Sequence, residues 1–115
     1  HLWYYVNGEL YLESDVVTGL DSDPSRQTPP GAFRVWSKEN GRYLGTMEVQ
    51  GYHTWVDYWM PIDHTGIGLH DLSRSAYGGD IYKTNGSHGC INLPLDVASN
   101  IYQQVIVGTP VFITP

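Results

Sequence analysis

The stretch "NGSHGCINLP", residues 85–94, decides how the rest of the chain is read. It holds the only cysteine, Cys90, with Gly89 between it and His88. A lone thiol in a Gly-rich turn is either a small buried hydrophobe or a nucleophile. The elements on either side of the turn bear on that choice.

On the C-terminal side, "PLDVASNIYQQVI" (94–106) has an apolar residue every fourth position, at Val97, Ile101 and Val105, and Ala98 and Tyr102 widen the stripe. Pro94 suits a first helical turn and Gly108 a stop, so a helix follows the cysteine turn; "PVFIT" then reads as a closing strand. On the N-terminal side, residues 72–86 form a long polar connection with paired glycines. Before it, "GIGLHD" (66–71) reads as a buried strand with His70 at its end. Residues 51–62, "GYHTWVDYWMPI", have no clean period and are expected to form a surface loop plus a short strand. "AFRVWSK" reads as a strand, Asn40–Gly41 as a turn, and "RYLGTMEV" as a continuation of the sheet. Residues 20–31 are a loop by composition. "LWYYV", Asn7–Gly8 and "ELYLE" predict a hairpin with a type I′ turn.

The chain therefore reads as a single mainly-β domain over residues 1–115, with one α-helix after the cysteine turn. At 41% hydrophobic and 16% charged residues it is expected to be globular. The formal charge of −6 and the scatter of its six basic residues argue against a nucleic-acid partner. No run approaches the roughly 20 apolar residues of a membrane span. The sequence starts strand-like, with no visible signal peptide, so export signals, anchors and companion domains are expected outside it. One cysteine forms no internal disulfide, and its spacing from His88 fits no common zinc finger, so neither metal nor cofactor is expected.

Thiol chemistry needs a group to take the proton and a third group to orient that base. Of the five histidines, His70 and His88 have suitable contexts; His1, His53 and His64 read as terminal or loop polar groups. In a tight turn His88 and Cys90 need not point the same way, whereas the N–H groups of Gly89 and Cys90 can converge on a developing oxyanion. His70, on a separate strand end, is free to meet the thiol across space. A helix beginning just after Cys90 is expected to favour the thiolate.

"HDLSRSAYGGDIYKTNGSHGCIN" resembles the signature of the L,D-transpeptidases, the YkuD-type catalytic domain. His70 is followed by sixteen residues and then by Ser87, His88, Gly89, Cys90, Ile91 and Asn92, matching that signature at every position. "TPPGAF", "YWMPIDHTGIGLHD" and "GTPVFI" are also similar to segments of the family. The resemblance implies a β-sandwich of mixed sheets. It implies an extracytoplasmic, cell-wall enzyme that is a monomeric domain. Such an enzyme takes an acyl group from a peptidoglycan tetrapeptide stem onto the thiol, releases D-Ala, and passes the acyl group to an amine, giving a 3→3 cross-link. Carbapenems acylate the same thiol.

The resemblance assigns Cys90 as nucleophile and His70 as its base, with the Asp71 carbonyl orienting His70. His88, with the Gly89 and Cys90 N–H groups, is assigned to the oxyanion, and Ser87 to orienting the turn. Asn92 is expected to hold the turn or touch the donor stem. Thr65 and Gly66 are placed on a substrate-lining strand, Tyr58, Trp59 and Met60 on a flap, and Tyr77 on the opposite wall. Hydrolysis of the same acyl-enzyme (an L,D-carboxypeptidase) and a catalytically silent wall-binding module are the alternatives.

Overall fold

A computed structural model describes residues 1–115. Strands β1 (Leu2–Val6) and β2 (Glu9–Ser14) form the expected antiparallel hairpin. Asn7 and Gly8 both have left-handed backbones, at φ 52° and 79°, as a type I′ turn demands. Strand β3 (Gly31–Arg34) pairs antiparallel with β8 (Pro110–Ile113), which brings the two halves of the chain together.

The remaining strands, β4 (Glu39–Leu44), β5 (Thr54–Pro61), β6 (Gly68–Asp71) and β7 (Ile91–Leu93), form one sheet in that spatial order. It is mixed: β4, β5 and β6 pair antiparallel, and β6 and β7 pair parallel. A parallel pair cannot be joined by a hairpin; it requires a crossover of about a dozen residues or more. Residues 72–90 are that crossover and include a one-turn helix, α1 (Ile81–Asn85). The sixteen-residue gap between His70 and Ser87 thus has a topological cause.

Helix α2 (Leu95–Gln104) follows β7 and packs against β5 and β6. Its Ala98 and Ile101 join Met60, Leu69, Ile91 and Leu93 in the core. Leu2, Tyr4 and Leu12 of the hairpin and Phe33, Val111 and Ile113 of the β3–β8 pair pack onto the same core. The mainly-β, mixed-sheet class expected from the sequence is the one observed.

Four local expectations are corrected. Residues 51–62 contain the longest strand, β5, and not a loop with a short strand. Val56, Trp59 and Met60 are all buried, so the simple alternation of a half-exposed strand is lost. For the same reason residues 58–60 are not a flap. Asn40–Gly41 is not a turn: β4 runs through it, with Gly41 at φ 80°, and a Cβ there would also lie 2.8 Å from the Trp55 ring. The sheet does not continue through "GTMEV"; Thr46 closes a turn there by accepting from Gln50 N–H at 2.9 Å.

Candidate active site

Register alone gathers the chemistry. In the parallel β6–β7 pair His70 lies opposite Asn92 and Leu69 opposite Ile91. Paired residues share a face, so His70 and Asn92 point the same way, and Cys90, immediately before β7, is brought by that pairing beside the strand that carries His70.

The hydrogen bonds around His70 leave one assignment of protons. His70 Nδ1 lies 2.8 Å from the carbonyl oxygen of Asp71. A carbonyl only accepts, so Nδ1 carries the proton. Asn92 Oδ1 accepts from Nε and Nη2 of Arg74 at 3.1 and 3.0 Å. A guanidinium only donates, so the Asn92 amide has one orientation, and its Nδ2 faces His70 Nε2 at 3.3 Å. Nδ2 only donates in turn, so Nε2 presents a lone pair. Burial pushes the His70 pKa below its usual value, and the Arg74 charge acts in the same direction against the Asp71 carbonyl and carboxylate. His70 is thus a neutral imidazole at pH 7 with its basic nitrogen defined.

Cys90 is half-buried, with Sγ 3.3 Å from the Gly66 carbonyl oxygen. Burial pushes its thiol up to about 11, the Asp63 charge adds to this, and a hydrogen bond from the Gly68 backbone opposes it. The expected help from a helix dipole is absent: the whole of β7 separates Cys90 from α2, whose first residue is Leu95. The resting pair is therefore a neutral thiol and a neutral base, and not an ion pair.

The turn is held internally and from behind. Ser87, buried, donates through Oγ to the Cys90 carbonyl and accepts the Gly89 N–H at 3.1 Å. That bond removes Gly89 N–H from the expected oxyanion donors. Gly89 itself is required for its backbone, at φ 119°, which side-chain-bearing residues rarely adopt. Segment 16–28 packs against the turn, mostly from behind, with Ser25 and Arg26 reaching the cleft. Val17 exchanges hydrogen bonds with Asn92, and Leu20 N–H reaches the Ser87 carbonyl at 3.0 Å. Arg26 donates to the carbonyls of Ser87 and Gly86, at 3.3 and 3.1 Å, and Thr28 Oγ1 donates to that of Gly89 at 2.7 Å. No buried side-chain nitrogen or oxygen lacks a partner.

In front of the turn is an open cleft of about 780 Å³, bounded by Cys90, His88, Tyr52, Trp36, Trp59, Thr65 and Gly66 among others. His88 is exposed and packs against Tyr52, with ring centroids 4.7 Å apart. Partial burial and the Arg26 charge lower its pKa. Thr65 and Gly66 line the cleft as expected, from the β5–β6 turn and not from a strand; Asp63 Oδ1 accepts from Thr65 N–H and Ile67 N–H there. Trp59 reaches the cleft from within the sheet, its ring 5.9 Å from that of His70.

Three expected substrate contacts are elsewhere. Tyr58 faces helix α2 and packs on Tyr102, with centroids 4.9 Å apart. Tyr77 turns into its own loop, its hydroxyl donating to the Leu72 carbonyl and accepting from Arg74 N–H. Asn92 is 1% exposed and holds the site together without lining the cleft. Sequence reasoning missed Arg74, Arg26 and Thr28 as site residues. Thr28 was visible only as the start of "TPPG"; the two arginines carried no local signal.

A mixed β-fold that sets a thiol at the entry of one strand and a tautomer-defined imidazole, held by a buried amide, on the strand paired with it defines a cysteine acyl-transfer domain. Residues 1–113 match the YkuD family, the L,D-transpeptidase catalytic domain, and the chain belongs to that family. It is 32% identical over 112 residues to L,D-transpeptidase 1 of Mycobacterium tuberculosis, covering 91% of this chain and 43% of that protein. A crystal structure of a mutant Enterococcus faecium L,D-transpeptidase superposes with a TM-score of 0.88 at 45% identity, covering 97% of this chain and 44% of that one. The NMR structure of the E. faecium catalytic domain acylated by ertapenem gives 0.81 at 46% identity, covering 97% and 87%. The chain thus spans less than half the length of the M. tuberculosis protein and of the E. faecium crystal-structure chain.

Proposed function

We propose that this chain is the catalytic part of a peptidoglycan L,D-transpeptidase, with Cys90 as nucleophile and His70 as general base. The observation that carries the reading is the donor–acceptor chain Arg74–Asn92–His70–Asp71, which fixes a neutral imidazole with its lone pair on Nε2, on the strand paired with the one that Cys90 leads into. The long 3.3 Å contact from Asn92 engages that lone pair only lightly.

In the first half-reaction the Cys90 proton passes to His70 Nε2 as sulfur attacks the carbonyl carbon of the third stem residue. The carbonyl oxygen becomes an oxyanion held by backbone N–H groups of the turn. Collapse re-forms the carbonyl and breaks the C–N bond; D-Ala leaves with the proton that His70 returns. In the second half-reaction an acceptor amine attacks the thioester, His70 takes its proton, and the thiol is restored as the 3→3 amide forms. Asp71 orients the base through its carbonyl, and Asn92 through its amide. On this reading the enzyme acts outside the membrane, in the cell wall. Carbapenems are covalent inhibitors on this reading, as ertapenem acylation of the E. faecium relative suggests.

The test is mass spectrometry of muropeptides after incubation with tetrapeptide donor and acceptor stems. Loss of D-Ala with appearance of a cross-linked dimer, both absent in Cys90→Ala, is the expected result. Tripeptide without dimer would make the protein an L,D-carboxypeptidase. Unchanged stems, with a thiol no more reactive than free cysteine, would make it a silent wall-binding module.

A further inference from the structure

We infer that Thr28 is a positioning residue for catalysis: its hydroxyl, by holding the Gly89 carbonyl, aims the Cys90 N–H at the oxyanion. The inference rests on the acyl-transfer reading above and adds to it a residue outside the sequence signature.

A trans peptide unit carries its C=O and N–H on opposite sides of one plane, and the chain contains no cis peptide bonds. Whatever holds the Gly89 carbonyl therefore sets the direction of the Cys90 N–H. Thr28 Oγ1 donates to that carbonyl at 2.7 Å. The direction of this bond is not ambiguous. Gly19 N–H donates to the same Oγ1 at 2.8 Å, so the hydroxyl's single proton is left for Gly89. Thr28 is behind the turn and does not border the cleft, whereas Cys90 and His88 do. With the carbonyl drawn backward, the Cys90 N–H projects forward, and it has no partner among the loop and turn hydrogen bonds.

Ser87 makes this peptide unit the important one. Its Oγ occupies the Gly89 N–H, leaving that donor unavailable. The other candidate, the His88 N–H, belongs to the peptide whose carbonyl is held by Leu20 N–H and Arg26. Thr28 is thus the only side chain hydrogen-bonded to the carbonyl of the Gly89–Cys90 unit. Gly89, free of a Cβ and at positive φ, gives that unit little rigidity of its own.

The experiment compares two reactions of the same thiol. Ertapenem acylation passes through an oxyanion; alkylation by iodoacetamide does not. Rates of both are measured by intact-mass spectrometry on the wild-type chain, Thr28→Val, Thr28→Ala and Thr28→Ser, with thermal melts as a check on folding. The Val and Ala variants are expected to acylate about 10- to 100-fold more slowly, somewhat less than the loss of a whole oxyanion donor. Their alkylation is expected to stay within about twofold, because it reads thiolate supply alone. Thr28→Ser, which keeps the hydroxyl, is expected to restore acylation. Acylation of either variant at the wild-type rate, or a parallel fall in alkylation, would overturn the inference while leaving Cys90 chemistry intact. A wild-type chain that ertapenem does not acylate would overturn the acyl-transfer reading and this inference with it.

Discussion

The two walls of the cleft are built differently. The back wall, where segment 16–28 meets the turn and β7, is a set of directed hydrogen bonds: Val17 with Asn92 at 3.0 and 2.7 Å, Ser87 N–H with the Thr18 carbonyl at 2.8 Å, and the Arg26 and Thr28 side chains with turn carbonyls. The front rim carries ring pairs: Trp36 against His64, with centroids 4.2 Å apart, and Tyr52 against His88, at 4.7 Å. Hydrogen bonds weaken steeply with misalignment, so they hold atoms in one geometry. Ring contacts tolerate several arrangements and cover area. The back wall is suited to placing reacting atoms and the front rim to accepting a substrate of varying shape.

The largest effect should come from the group the back wall orients. His70→Ala is expected to slow ertapenem acylation by about 10²- to 10⁴-fold, the usual worth of a general base. His88→Ala, on the front rim, should cost less than about 10-fold, because its ring is exposed and outside the proton network. The reverse ranking, from stopped-flow acylation rates, would exchange the roles of the two walls.

A smaller effect is expected where the back wall is tied to the sheet. The Asp71 carboxylate accepts the backbone N–H groups of Asp57 and Tyr58, at 3.1 and 2.8 Å, and so clamps β6 to β5 beside the base. Asp71→Ala should lower stability by about 2 kcal/mol, as charged hydrogen bonds to backbone do. Urea denaturation measures this; an unchanged midpoint would mean the clamp is not needed. The smallest change belongs to the rim. Tyr52→Ala should raise KM for donor stem by a few-fold, in line with about 1 kcal/mol of lost aromatic contact, and leave kcat in place. A fall in kcat with constant KM would show that the rim takes part in chemistry.

The same contrast separates what the sequence showed from what it hid. The hairpin was legible because Asn7–Gly8 admits few backbones, and α2 because its apolar residues recur at helical spacing over 94–106. His70, Cys90 and the turn were legible because their spacing is fixed by one parallel crossover. Strand β5 was not: buried Val56, Trp59 and Met60 break its period, and its aromatics read as a rim. Tyr58 and Tyr77 were misplaced because a tyrosine's sequence context does not say which way its ring turns. Arg74 and Thr28 were invisible because their partners, Asn92 and Gly89, are brought to them only by tertiary structure.

The central claim is that a neutral thiol meets a neutral base whose Nε2 lone pair is engaged only by the long Asn92 contact. The pH dependence of ertapenem acylation tests it most directly. With the His70 pKa lowered from 6.5 by burial, the base stays unprotonated at and above pH 6.5 and is lost only as pH falls through that lowered value. With the thiol pushed up to about 11, it stays protonated until far into the alkaline range. The account predicts a plateau from near neutrality to about pH 10, with an acid limb below pH 6.5 that disappears in His70→Ala. A rate that climbs about tenfold per pH unit from 7 to 10, with no dependence on His70, would show free thiolate as the reacting species and contradict it.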